Sequence, residues 1–209
     1  MAARLEGSKT YSKSFMSRHN IPTAQYRNFN NYEDAKRYVT EEVNYKVVIK
    51  ASGLAAGKGV ILPETREESL AALKEIMLDQ KYGAAGNEVV IEERLEGAEI
   101  SILTFSDGVT FKSMLAAQDH KRIYDFDKGP NTGGMGCYAP AKVVTSSELK
   151  SIDDTILEQT FSGMRKEGRF TKKLCSISAQ CLRFTIIRDA LRRLAFYGAN
   201  AHTKRPKGP

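Results

Sequence analysis

Apolar and polar residues change their spacing several times along the chain, and each change marks an element. Residues 8–19, SKTYSKSFMSRH, suit a short helix. Asn20-Ile21-Pro22 ends it, because the residue before a proline avoids the helical region. Residues 25–29 read as a short strand, and residues 32–39 as a helix with Asn31 as its cap. Residues 46–51, KVVIKA, are β-branched and strand-like. A glycine-rich turn over 52–59 and a second short strand over 60–62 follow, which predicts a hairpin-like unit. Thr65 and Glu68 form a capping box that opens a helix to about Leu78, with Leu70, Leu73, Ile76 and Met77 on one side. Residues 88–93 are a strand, and 99–105 and 109–115 are strands joined by Ser106-Asp107-Gly108. Asp-Gly between apolar runs is a strong hairpin signal. Thr145 and Glu148 form a second capping box, and their helix runs to about Lys166. Hairpins and helices follow each other without strict strand–helix alternation, which predicts an α+β fold rather than a doubly wound parallel sheet. No internal repeat or low-complexity tract interrupts this order.

Composition narrows the class. A chain of 209 residues with 41% hydrophobic content fits one cored domain, or one and a partial second. No apolar run reaches the ~18 residues that span a bilayer, and the polar start MAARLEGSKTYSK has no signal core. Cys137, Cys175 and Cys181 are odd in number and lack CxxC spacing, so they read as reduced thiols of a cytosolic protein. The net charge of +7 is unevenly placed. Residues 169–209 hold ten Lys/Arg and one acid, Asp189, a net +9, and residues 1–168 hold 22 basic and 24 acidic residues, a net −2. The basic balance belongs to the tail, and a nucleic-acid partner does not follow for the body.

Three segments carry candidate chemistry. The first, VVIKASGLAAGKGV (residues 47–60), has glycines and small residues that let backbone approach a ligand closely. Its N–H groups suit an anion nest, with Lys50 and Lys58 as point charges on either side. It is not a Walker A loop, which needs four spacers before Gly-Lys and then Ser or Thr. An ordinary glycine-rich hairpin with solvated lysines fits the same text. The second, VIEERLEGAEIS (residues 90–101), supplies carboxylates for an adenine amine and ribose hydroxyls from Glu92, Glu93 and Glu99, with backbone near Leu95 for the ring edge. A solvated acidic turn is its plain alternative. The third comprises Gln118-Asp119-His120-Lys121-Arg122 and Gly129-Pro130-Asn131-Thr132-Gly133-Gly134-Met135-Gly136. Its backbone donors suit a phosphate or carboxylate, and His120 is either an acid–base residue or a positioning or surface group. Both parts also read as one surface loop of about 20 residues, a length uncommon without a function.

Taken together, LEGSKTYSKSFMSRHNIPTA, VVIKASGLAAGKGVIL, YGAAGNEVVIEERLEGAEIS, AAQDHKR and GPNTGGMGCYAPA resemble, in order, the ATP-grasp superfamily, and within it the glycinamide ribonucleotide synthetases. The likeness covers roughly residues 2–170. It implies an ATP-grasp fold with a lid over 22–93, part of a central subdomain over 94–168 and a linker helix over 1–21. It also implies an ATP-dependent ligation of glycine to phosphoribosylamine through glycyl phosphate, with ATP and Mg²⁺ or Mn²⁺ as cofactors. By the resemblance, Lys50, Ser52, Gly53, Gly57, Lys58 and Gly59 contact the phosphates. Glu92, Glu93 and Leu95 hold adenine, and Glu99 the ribose. Lys58, Asp119, His120 and Lys121 serve the reaction, and Gln118, Asp119, Asn131, Thr132, Gly133, Gly134, Met135 and Gly136 face the two substrates.

The chain also departs from that pattern. The family's first domain, with its Gly-Gly-Arg-Glu-His stretch, has no counterpart before Met1. The Glu and the Asn that hold the metal ions are absent from residues 169–209, where there is no Glu and Asn200 has Gly198 two positions before it. A tail of unrelated text is expected there, as from a frame change or an alternative transcript, with helical propensity near 186–197 and poor packing. These departures predict a chain inactive by itself. A non-catalytic nucleotide or RNA binder using the tail is the rival, and salt-sensitive RNA binding lost on removing residues 170–209 distinguishes it. No RNA-binding signature or interleaved aromatic pattern supports that rival, and the sequence sets no oligomeric state.

Overall fold

The computed structural model describes residues 3–55, 58–95, 97–126, 128–168 and 182–187. A short helix α1 (Ala3–Gly7) leads into α2 (Lys9–Arg18), whose cap Ser8 accepts a hydrogen bond from the Tyr11 N–H. The chain leaves α2 through Asn20 at φ 53°, a left-handed turn that asparagine tolerates well. Strand β1 (Tyr26–Phe29) follows. Helix α3 (Tyr32–Arg37) is capped by the Asn31 carboxamide and extended by one π-helical turn, Tyr38–Glu42. Strands β2 (Val47–Ala51), β3 (Val60–Ile61) and β4 (Val89–Glu93) complete an antiparallel sheet in the order β1-β4-β2-β3.

The two faces of this sheet are different in character. Val47, Ile49, Ala51, Val89 and Ile91 point to one side and pack on Ala35, Val39 and the α4 (Arg66–Met77) residues Ala72, Leu73 and Ile76. The buried stripe of α4 is turned slightly from the expected one: Ser69 and Ala72 are buried, whereas Leu70 and Met77 are half-buried. The Thr65 hydroxyl caps the Glu68 N–H, but the Glu68 carboxylate accepts from Glu64, one residue ahead of the cap. The other face presents Val48, Lys50, Val90 and Glu92 toward α2. Helix α2 therefore has two roles. Its polar side meets the sheet through Thr10 and Lys13, and Phe15 and Met16 join a second core.

That second core comprises Ile100 and Ile102 of β5 (Glu99–Ser106), Ile152, Ile156 and Leu157, and Phe161 and Met164. Its helical part runs unbroken through α5 (Ser146–Ile152), a π-helical turn (Asp153–Leu157) and α6 (Glu158–Lys166), opened by the full Thr145/Glu148 capping box. β5 turns into β6 (Phe111–Ser113) where the Asp107 carboxylate accepts from the Val109 and Thr110 N–H groups.

One alternative reading and one expectation are corrected. Residues 118–136 are not a surface loop. They lie in an antiparallel ribbon of β7 (Gln118–Tyr124) and β8 (Lys128–Tyr138), with irregular register after His120. Most of its side chains outside Gln118–Arg122 are exposed, so no period-two apolar pattern marks it. The tail is not wholly apart from the fold either. β9 (Leu182–Ile187) pairs antiparallel with β5, from Glu99 opposite Ile187 to Thr104 opposite Leu182. Its text, LRFTII, is rich in β-branched and aromatic residues, and β5 offers it the edge away from β6. Ile186 and Ile187 are thus strand rather than helix, and the rest of 188–197 lies outside the described residues.

Glu167, just past α6, ties the second core to α2. Its carboxylate accepts from Arg18 at 2.8 and 3.0 Å and from the Tyr11 hydroxyl at 3.1 Å, with His19 Nε2 2.9 Å away. Loss of solvent raises the Glu167 pKa, but Arg18, His19 and Tyr11 outweigh it and hold the group at about 2. A carboxylate depressed on folding stabilises above its unfolded pKa and loses that contribution as the pH falls toward its folded value. Glu167→Gln is expected to cost about 1–2 kcal/mol at pH 7. The gap between variant and parent should close between pH 4.5 and about 2, read from urea unfolding across that range.

Candidate functional site

Strand β2 alternates, so Ile49 and Ala51 enter the helix-side core while Lys50 points to the opposite face. Glu92 does the same on β4, in the strand paired with β2. The Glu92 carboxylate meets Lys50 on one oxygen and Lys13 of α2 on the other, the latter at 2.5 Å. All three side chains are about 4% exposed. Burial pulls the Glu92 pKa up, but Lys50 and Lys13 outweigh that and keep it below the usual carboxylate range. Burial lowers the Lys13 pKa, against the pull of Glu92.

Lys9, one turn before Lys13 on α2, extends the cluster. Its ammonium donates to the carbonyls of Ala51 at 2.9 Å and Gly53 at 3.1 Å. Burial, followed by the charge of Lys50, lowers its pKa to about 8, and Glu92 only partly offsets this. Two buried lysines, Lys13 and Lys50, thus share one carboxylate at the root of the glycine-rich loop, with half-buried Lys9 beside them. Such an excess of buried cation is costly alone and is relieved by an anion with several charges. The residues fit a polyphosphate. Lys9 and Lys13 lie in the family-like segment LEGSKTYSKSFMSRHNIPTA, but the sequence assigns them no role. The readable signal is a helix whose inward positions 9, 10 and 13 are polar at helical spacing.

The glycine-rich loop differs from the expected nest at its start. The Ser52 N–H donates to the Glu88 carbonyl, the Gly53 N–H to Ala85 and the Lys58 N–H to Ala55. These donors are committed inside the protein. The Ser52 hydroxyl is also buried, against Thr10 and Ser8, and so faces α2 rather than a ligand. Gly53 is required for close approach: a Cβ there would lie 2.7 Å from Ala85 Cα. Gly59 is buried, Lys58 is exposed on the loop and stands outside the buried lysine cluster, and Gly57 lies outside the described residues.

The β4–β5 connector places the acidic residues in separate settings. The Glu93 and Arg94 N–H groups donate to the carbonyls of Gln25 and Lys46, and Leu95 next to them is half-buried. Glu93 itself is half-buried. Glu99 pairs with Lys121, so the first residue of β5 is joined to the β7–β8 ribbon. Two expected site residues from distant segments therefore meet.

On the ribbon, Gln118 accepts from the Tyr138 hydroxyl at 2.7 Å, and exposed His120 stacks on the Tyr138 ring at 5.9 Å. That is the setting of a surface or positioning group. Asp119 pairs in register with Cys137 and approaches Gly134, where a Cβ would lie 2.9 Å from its Oδ1 and where φ is +130°. Glycine is therefore needed at Gly134. The Thr132 hydroxyl donates to the Lys121 carbonyl and accepts from the Gly134 N–H. Asn131 and Gly133 lie on β8, and Met135 and Gly136 are exposed there. Among the described residues no group of three or more His, Cys, Asp or Glu is placed to hold a metal ion. A Mg²⁺ or Mn²⁺ ion thus has no all-protein ligand cluster among the described residues, and no step is routed through one.

Comparison with known proteins identifies the fold and the family. Residues 7–174 match the family model for the phosphoribosylglycinamide synthetase ATP-grasp (A) domain. A bifunctional purine biosynthetic protein of Schizosaccharomyces pombe is 58% identical over 168 residues, covering 80% of this chain and 21% of that protein. A phosphoribosylamine–glycine ligase of Leptospira interrogans is 49% identical over 166 residues, 79% of this chain and 39% of the ligase. Among solved structures, the phosphoribosylamine–glycine ligase of Thermotoga maritima superposes with a TM-score of 0.77 at 34% identity, covering 88% of this chain and 45% of that one. The VanG D-Ala:D-Ser ligase of Enterococcus faecalis shares the fold, with a TM-score of 0.63 at 14% identity over 92% of this chain and 51% of its own. The chain thus spans about a fifth of the length of the first of these relatives. It has the ATP-grasp fold and belongs to the phosphoribosylglycinamide synthetase ATP-grasp (A) domain family.

Proposed function

We propose that this chain binds the triphosphate of ATP at the Lys9–Lys13–Lys50–Glu92 cluster and is the nucleotide-binding part of a phosphoribosylamine–glycine ligase in purine biosynthesis. The observation that carries this reading is the surplus of buried lysine over carboxylate at the root of the glycine-rich loop. Leu95 and Glu93 would take the adenine, Glu99 the ribose, and the loop with Lys58 would cover the phosphates.

In the ligation the carboxylate of glycine attacks the γ-phosphorus, the bond to the β–γ bridging oxygen breaks, and ADP leaves. The amine of phosphoribosylamine then attacks the carbonyl carbon of glycyl phosphate, expelling phosphate and losing a proton. The lysines would neutralise charge on the transferring phosphoryl group, the main demand of such chemistry. Asp119, His120 and Lys121, with residues 131–136, would border the two substrates. No described residue is assigned to Mg²⁺ or Mn²⁺, and no part of this reading is routed through either ion. The reading is nucleotide binding in the cytosol, with no completed ligation expected of this chain alone.

Calorimetric titration of the full chain with ATP and with AMP tests it. ATP should bind at least about tenfold more tightly than AMP, since most contacts are to phosphate. Lys9 adds a pH dependence. Its pKa of about 8 in the empty site should rise beside phosphate, so binding takes up a proton above pH 8. Affinity for ATP should then fall as pH rises from 8, by up to roughly tenfold per unit for a single linked proton. A folded chain that ignores millimolar ATP ends the reading.

A further inference from the structure

We propose that the first turn of α2 is a clamp that fixes the base of the glycine-rich loop, with Thr10 as its positioning residue. Thr10 is 8% exposed, and its hydroxyl lies 2.8 Å from the Ser52 hydroxyl and 2.5 Å from Glu88 Oε2. A carboxylate only accepts, so the polarity of this chain is set. Thr10 donates to Glu88 and accepts from Ser52. The Ser8 hydroxyl closes the cluster, 3.0 Å from Thr10 and 3.2 Å from Ser52.

Backbone bonds reinforce the same point. The Lys9 N–H donates to the Ser52 carbonyl at 2.8 Å, and Lys9 Nζ holds the carbonyls on either side of Ser52. The Ser52 and Gly53 N–H groups are taken by Glu88 and Ala85. Beyond Gly53 the loop is different: Leu54 is 55% exposed, and Lys58 is exposed. The loop therefore has a fixed base, from which Leu54 and Lys58 are exposed. Its base is held by a helix rooted in the second core through Phe15 and Met16, and not by the lid sheet alone. A base fixed in this way sets the direction in which Leu54 and Lys58 leave it. Its consequence for phosphate binding rests on the nucleotide reading above, and the clamp itself does not.

Thr10→Val removes the hydroxyl while keeping the branched shape and the backbone bonds of residue 10. Amide exchange of the full 209-residue chain, followed by NMR without nucleotide, is the test. The Ser52 and Gly53 amides should exchange about tenfold faster in T10V, with Ile49 and Ile91 in the sheet centre unchanged. T10S, which restores the hydroxyl, should match the parent. Unchanged protection at Ser52 and Gly53, or equal loss across the sheet, overturns the clamp. A second arm titrates T10V with ATP and AMP. A loss of about fivefold or more for ATP alone supports loop positioning, and equal loss for both nucleotides overturns it. Should the parent bind no ATP, the nucleotide reading fails, and the exchange arm still decides the clamp.

Discussion

Replacing Glu92 with glutamine is expected to destabilise the chain by about 3–5 kcal/mol, the cost of leaving buried charges without their counter-ion. The substitution keeps volume and shape, so no cavity contributes. It leaves Lys13 and Lys50, each about 4% exposed, facing a neutral amide on a sheet whose other face is packed with Ile49, Ala51, Val89 and Ile91. Lys9 lies close enough for its charge to be coupled to both Lys50 and Glu92, which deepens the imbalance. The cluster can relieve the strain by losing protons, by local opening, or by taking an anion. Urea unfolding at pH 7 measures the loss. The same measurement with added ATP should recover part of it, since ligand at 100 times its dissociation constant contributes about 2.7 kcal/mol. Stabilisation by ATP should be larger in the variant than in the parent, because the variant's site is more positive. A change below about 1 kcal/mol would mean that Glu92 is not the counter-ion of this cluster.

The sheet that carries Glu92 was readable from sequence for a physical reason. β2 and β4 lie centrally and are covered on both faces, so VVIKA and VVIEE appear as short apolar runs broken by Lys50 in one and by Glu92, then the terminal Glu93, in the other. A buried charge inside such a run marks a position where the fold accepts a cost. The capping residues Asn31, Thr65 and Thr145 were equally plain, because each hydroxyl or amide acts within three residues. The partners of the charged pair were not. Lys9 and Lys13 sit on a helix recognisable by its length and its proline stop, and their contacts depend on a sheet that closes against them from more than 40 residues away. The β7–β8 ribbon escaped for the opposite reason: its strands cover little, so nothing forces alternation on them. At Ser52 and Gly53, glycine-rich text suggested open donors, whereas the close approach of Ala85 had already used them. What stayed hidden was tertiary pairing, which leaves no local trace.

Charge balance makes Lys50→Met the complementary experiment, with the two effects reversed in size. Methionine keeps most of the lysine stem and volume. It leaves Glu92 with Lys13 at 2.5 Å, a buried pair of matched charge, so the cluster moves closer to neutrality. Swapping one member of a buried ionic group for an apolar residue of similar size is often neutral for stability once the remaining charges are paired. The unfolding free energy should therefore change by less than about 1.5 kcal/mol. Binding should respond strongly. One charge-assisted contact to phosphate contributes about 1.5–3 kcal/mol, so ATP affinity should drop by roughly 10–100-fold while AMP affinity moves little. If phosphates were instead held only by the exposed Lys58 and the loop tip, Lys50→Met would bind ATP like the parent and Lys58→Met would carry the loss. The ratio of the two ATP affinities therefore assigns the phosphate site, and the accompanying urea curves ensure that the comparison is made between folded chains.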